Sequence, residues 1–105
     1  MKVTFCIGYE NKTAPNGIFI EPGSCVMTKD RIPITILYNP FDIVGFAENF
    51  RVEDGKMLVD AEIKAGVLDE ADKANQKVSF TATPITLEGC ALKYGDIREV
   101  VLSPR

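Results

Sequence analysis

Histidine is absent from all 105 residues. That absence excludes Ser-His-Asp and Cys-His catalysis, histidine general bases and nearly all catalytic zinc sites, because each needs an imidazole. An excess of positive charge is absent too: 12 Lys and Arg stand against 15 Asp and Glu, a net charge of −3. No basic stripe exists to neutralise a phosphate backbone, so no nucleic-acid partner is expected. The six Phe and three Tyr are not interleaved with Lys or Arg as a base-stacking platform would be. No apolar run approaches the roughly 18 residues of a membrane span, and the short run at residues 3–7 is broken by Gly8 and Glu10. No membrane partner and no secretory signal are therefore read, and the expected location is cytoplasmic. The Asn11-Lys12-Thr13 triplet then carries no glycosylation reading.

Cysteine is sparse. Cys6, Cys25 and Cys90 are odd in number, widely spaced and form no CxxC, so they are read as reduced thiols and not as a disulfide framework. A catalytic thiol would want a nearby cation to hold a thiolate. No GxGxxG or GxxxxGK[ST] phrase occurs, and Glu53-Asp54-Gly55 lacks EF-hand spacing. No cofactor and no metal are expected.

What is present is period-two patterning. Val3, Phe5, Ile7 and Tyr9 alternate with polar or small residues, as in a half-buried strand. Asn16-Gly17 and Pro22-Gly23 are turn signals flanking a short strand at 18–20, and 25–27 offers another. Ile32, Ile34, Ile36 and Tyr38 form a further strand, in which Pro33 suggests an edge or a bulge and which Asn39-Pro40 ends. Residues 43–64 form the clearest hairpin: its turn is Asp54-Gly55, and Met57, Val59, Ala61 and Ile63 face inward on the return. Residues 66–77 break the alternation. Acidic residues stand early, lysines late, and Val67, Leu68, Ala71 and Ala74 give a narrow apolar stripe, so one short helix is expected at about 67–76. Strands resume at 78–82, pass a bend at Thr83-Pro84, and end with 97–102. The fold class is mainly β: a small β-barrel or sandwich of seven to nine short strands with one short helix, in a single domain over residues 1–105.

Few residues are candidates for chemistry. Asp60 and Glu62 share one strand face about 7 Å apart, which reads as a solvated face and not as a glycosidase pair. Ser79 could act with a desolvated lysine as base, if the fold supplies one.

Several phrases, in order, resemble the prohead proteases of HK97-like tailed phages. They are residues 16–25 (Asn-Gly-Ile-Phe-Ile-Glu-Pro-Gly-Ser-Cys), the apolar strand 32–40 leading to Val44-Gly45-Phe46-Ala47, the hairpin phrase 52–63, Val78-Ser79-Phe80-Thr81, and the closing 97–103. The resemblance spans nearly the whole chain. It implies a nucleophile position at Ser79 and a histidine position near Asn39-Pro40, where no histidine stands. Asn39 and Ser79 would then be vestigial. A serine without its base loses about four orders of magnitude in rate. The reading that follows is a non-enzymatic structural, assembly or protein-binding domain of phage or prophage origin. It would bind a protein partner or itself, as a homo-oligomer, in the cytoplasm or in a phage particle. Phe41 and Tyr94 are candidate interaction anchors. The alternatives are a Ser-Lys hydrolase at Ser79 and a small-ligand-binding β-barrel.

All three cysteines should titrate as free thiols after denaturation without reductant. Recovery of a single thiol per chain would mean an intramolecular disulfide.

Overall fold

A computed structural model describes residues 2–37, 39–64 and 76–104. The chain is mainly β. The described residues form nine strands: β1 (Lys2–Tyr9), β2 (Lys12–Thr13), β3 (Phe19–Ile20), β4 (Cys25–Val26), β5 (Arg31–Ile36), β6 (Asn39–Glu53), β7 (Lys56–Ile63), β8 (Gln76–Glu88) and β9 (Ala91–Pro104). No helix occurs among the described residues. Most of the segment expected to be helical, 67–75, lies outside them, and Gln76, expected as its last residue, opens β8 instead.

The strands form one sheet in the order β1-β7-β6-β5-β9, with β8 on the other edge of β9. The sheet curls into a half-barrel, which brings its two outer strands, β1 and β8, close to each other. Their inward faces make the core. Alternation supplies Met57, Val59, Ala61 and Ile63 from β7, Ile32 and Ile34 from β5, and Ile97, Val100 and Leu102 from β9. Each such side chain contributes roughly 1.5–3 kcal/mol by leaving water.

β9 is the strand that organises the rest. Along one edge it pairs, in parallel, with β3 at Ala91 and Leu92, with β4 at Gly95 and Asp96, and with β5 from Val100 to Leu102. Along the other it pairs antiparallel with β8 over almost its whole length. Val100, Val101 and Leu102 are buried in succession, the run expected of a strand covered on both faces.

Turn chemistry matches the sequence. Asp54 (φ 52°) and Gly55 (φ 76°) both sit in the left-handed region between the paired Glu53 and Lys56, as a two-residue hairpin of type I′ requires. Other expectations need correcting. Asn39-Pro40 does not end a strand; β6 begins there and runs 15 residues. Of the two readings of Pro33, the edge fails, since β5 lies between β6 and β9, whereas β5 is irregular just beyond it, with a register shift between Ile34 and Thr35. The missing N–H is tolerated because hydrogen bonding to β9 begins only at Ile34. Thr83-Pro84 does not end β8, but it sits at an irregularity as the expected bend would: the register with β9 shifts there and the strand continues to Glu88.

Gly45 shows how tightly β6 and β7 approach. A Cβ there would collide with the carbonyl oxygen of Glu62 and lie 3.1 Å from the Cα of Ile63. These are backbone atoms and cannot rotate away. Gly45→Ala should therefore destabilise the protein by about 1–3 kcal/mol or more. Gly8→Ala meets side chains alone, the Phe80 ring at 3.2 Å and the Met57 sulfur at 3.6 Å, and should cost less. Equal urea midpoints for the two variants would contradict this packing.

Candidate functional site: a cleft between the outer strands

Among the described residues the sheet curls without a hydrogen-bonded seam between β1 and β8. Among them, each of these strands pairs on one side only: β1 with β7, and β8 with β9. Beside their free edges lies a cleft of about 750 Å³, within the range of natural ligand sites. One wall is β1 from Cys6 to Tyr9, and the segment from Lys12 to Ile20 forms part of the lining. The other wall is β8, with Val78, Phe80, Ala82, Ile85 and Leu87, and Leu92 contributes from β9. Ile7, Ile20 and Leu92 belong also to the core, so the cleft opens directly onto it.

The geometry follows from local sequence. A bulge between Cys6 and Gly8 turns the end of β1. It leaves Tyr9 46% exposed at a position where simple alternation would bury it. Gly8 lets Phe80 reach across, with the ring carbon Cε1 3.2 Å from where a Cβ would stand. The barrel is thus closed here by a side chain, not by a ladder. Asn16-Gly17 folds the 12–20 segment back: Ala14 N–H donates to Ile18 O at 2.8 Å, and Ile18 N–H to Asn16 Oδ1 at 3.1 Å.

Ser79 lines this cleft, half-buried, with Lys77 two residues before it. Val78 and Phe80 pack on the core, so alternation sets Lys77 and Ser79 on the opposite side of β8, at the rim. Lys77 is exposed, whereas a lysine base needs desolvation. Asn39 is not brought to Ser79. It pairs with Ile36, which pairs with Leu102, which pairs with Val78. That path is three strand spacings, roughly 14 Å. Asn39 is exposed and its Oδ1 accepts the N–H of Phe41 at 3.0 Å, the work of a turn residue.

The two candidate anchors are separated as well. Phe41 is 96% exposed, far beyond what an unpartnered phenylalanine ring normally shows. It lies near the β5–β6 turn, where the N–H of the equally unusual, 62% exposed Leu37 donates to Leu102 O. Tyr94 is 38% exposed, near the opposite end of β9 and across from Thr86. The three thiols are free: Cys25 is buried, Cys6 half-buried and Cys90 exposed. Burial pushes the Cys25 thiol up, the reverse of what a nucleophile needs.

The carboxylates hold the frame. Asp60 accepts from Thr4 Oγ1 (3.0 Å) and Asn49 Nδ2 (2.9 Å), and pairs with Arg51 at 3.1 Å. These partners hold its carboxyl below the usual range, the Asn49 hydrogen bond first. They also fix the bulge between Glu48 and Arg51, where Asn49 takes φ 63°. Asp96 is almost wholly buried. Thr28 serves it twice, from Oγ1 at 2.6 Å and from the backbone N–H at 3.0 Å, and Arg98 adds an ion pair at 2.9 Å. Arg98 in turn donates to Thr83 O at 2.7 Å, across the β8 irregularity. Among the described residues no three of His, Cys, Asp and Glu cluster as a metal site, and no helix is long and apolar enough to cross a membrane.

The sequence reading missed the cleft. Its floor residues Ile85 and Leu87 were visible only as apolar positions after Pro84, and the closeness of β1 to β8 is set by chain segments far apart. No family model, no curated protein and no solved structure matches the chain.

Thr28 hydrogen bonds hold the carboxyl of Asp96 below its ordinary value, and Arg98 assists. A carboxyl with a lowered folded-state pKa stabilises the fold above its unfolded pKa of about 3.9, and that stability is lost as pH falls through the folded value. The thermal midpoint should therefore fall as pH drops below about 4. Asp96→Asn should lower the midpoint at pH 7 and flatten its decline in acid. An unchanged acid limb in this variant would remove Asp96 from the account.

Proposed function

We propose that this chain is a non-enzymatic protein-binding or assembly domain that engages a partner protein, or further copies of itself, through exposed strand edges and protruding apolar side chains. The observation that carries the reading is the pair of strand edges, on β1 and β8, that have no partner strand among the described residues and flank an apolar cleft. A free strand edge is a row of N–H and C=O groups that another chain can complete. Phe41 supports the reading, because a ring 96% in water loses that exposure on docking. The sequence resemblance to prohead proteases supports reading such a domain as part of a phage or prophage particle, a relative whose Ser79 lacks its base. Asn39 cannot take a proton from a serine at neutral pH, and Lys77 is solvated at the rim.

One observation favours a second reading. An apolar cleft of about 750 Å³ is also large enough for a small ligand.

Two measurements test the first reading. The protein should not react with a fluorophosphonate serine probe; labelling that disappears in Ser79→Ala would promote the Ser-Lys hydrolase instead. Size-exclusion chromatography with light scattering at micromolar concentration should show self-association, or the protein should co-purify with particle proteins, and Phe41→Ser should weaken whichever is seen. A strict monomer that co-purifies with nothing would defeat the proposal.

A further inference from the structure

The cleft has a polarity along its length. Its described lining includes two ionised side chains, both cationic, Lys12 and Lys77, and no carboxylate, although the chain as a whole is net negative. The lysines stand at opposite ends. Lys77 lies near the start of β8 and faces Ser103 in the ladder. Lys12 pairs with Ile20, which pairs with Leu92, which faces Leu87 near the end of β8. From position 77 to position 87 an extended strand covers roughly 30 Å, the length of about nine residues. Between the two cations the cleft wall is apolar, with Phe80, Ala82, Ile85 and Leu87, and Ile85 and Leu87 are 52% and 44% exposed.

The geometry points to one occupant: an extended segment of a partner protein, apolar at alternate positions and acidic at both ends, lying along the cleft beside β8. This inference rests on the protein-binding reading above and names the chemistry of the partner. Three features select it. The length of the groove suits a strand. Its free edges offer backbone donors and acceptors, which a peptide satisfies and a hydrocarbon chain does not. The cations at its ends attract carboxylates and have no described acid in the cleft to neutralise them. The pinch at Gly8 and Phe80 sets the path: the segment lies against β8 and under the 12–20 segment, without being inserted between β1 and β8 where Phe80 bridges them.

The probe is a fluorescein-labelled Glu-Val-Thr-Val-Thr-Val-Thr-Val-Glu peptide, followed by fluorescence anisotropy against the full chain. It should bind saturably, and more weakly as salt rises. The same peptide with Lys at both ends should bind at least tenfold more weakly. Lys12→Glu and Lys77→Glu should each weaken the acidic peptide about two- to fivefold or more, as expected of partly exposed charge pairs. In the double variant the Lys-ended peptide should become the better ligand, a reversal that misfolding cannot produce. Ile85→Asp, at a position 52% exposed, should abolish binding of both.

Equal affinity for the acid-ended and Lys-ended peptides overturns the inference. So does no saturable binding at millimolar peptide, or displacement of an apolar dye from the cleft by laurate but not by peptide. If light scattering or co-purification still shows association in those cases, this inference fails while the protein-binding reading stands. If association is missing as well, both fail.

Discussion

Everything in this fold depends on β9 being hydrogen-bonded along both edges. Its parallel partners β3, β4 and β5 are laid end to end on one side, and β8 runs along the other. The short strands β3 and β4, two residues each, have too few ladder bonds to persist alone. They exist because β9 is already held. Asp96, within β9, ties Thr28 beyond β4 to that strand, and Arg98 ties the irregular stretch of β8 to it. A buried carboxylate would be costly if unpaired. Here its two oxygens are served from one threonine and one arginine, so the charge fixes register instead of opposing burial.

The same constraint creates the cleft. A sheet that curls around β9 must bring its two outer strands together, and the natural outcome would be a closed ladder. The bulge at Cys6–Gly8 and the register shifts in β8 prevent it. The seam is filled by Phe80 over Gly8 at one point and left open beside it. Bulges at sheet edges commonly end pairing and redirect side chains. In this chain they accompany an open cleft where a seam would otherwise lie.

What could be read from the sequence was what is local. The Asp54-Gly55 turn and the inward set Met57, Val59, Ala61 and Ile63 depend only on residues within one hairpin, and they match. Asn16-Gly17 and Pro22-Gly23 were legible for the same reason. Pro33 misled, because whether a missing N–H matters depends on where the neighbouring strand begins, and β9 is more than sixty positions away. Asn39-Pro40 misled because its turn signal is genuine, yet the turn lies just before it, so the pair opens a strand. Asp60 was correctly placed on an outer face, but its partners Thr4, Asn49 and Arg51 come from two other strands. Of the candidate site, Ser79 was identified and its surroundings were not. Phe41 stands out in the structure only because its exposure is known.

The position of β9 in the chain has a consequence for how the fold is reached. The strands that it joins on its parallel edge are all made before it. During synthesis β3, β4 and β5 lack that partner until residues 91–104 have left the ribosome. The hairpin of β6 and β7 can form early from contacts close in sequence. The other half of the sheet must wait for its last member, with apolar surface and strand edges open in the interval. A chain paused before residue 91 would thus present the edge of β5 to its neighbours, and aggregation at that edge would compete with completion of the half-barrel.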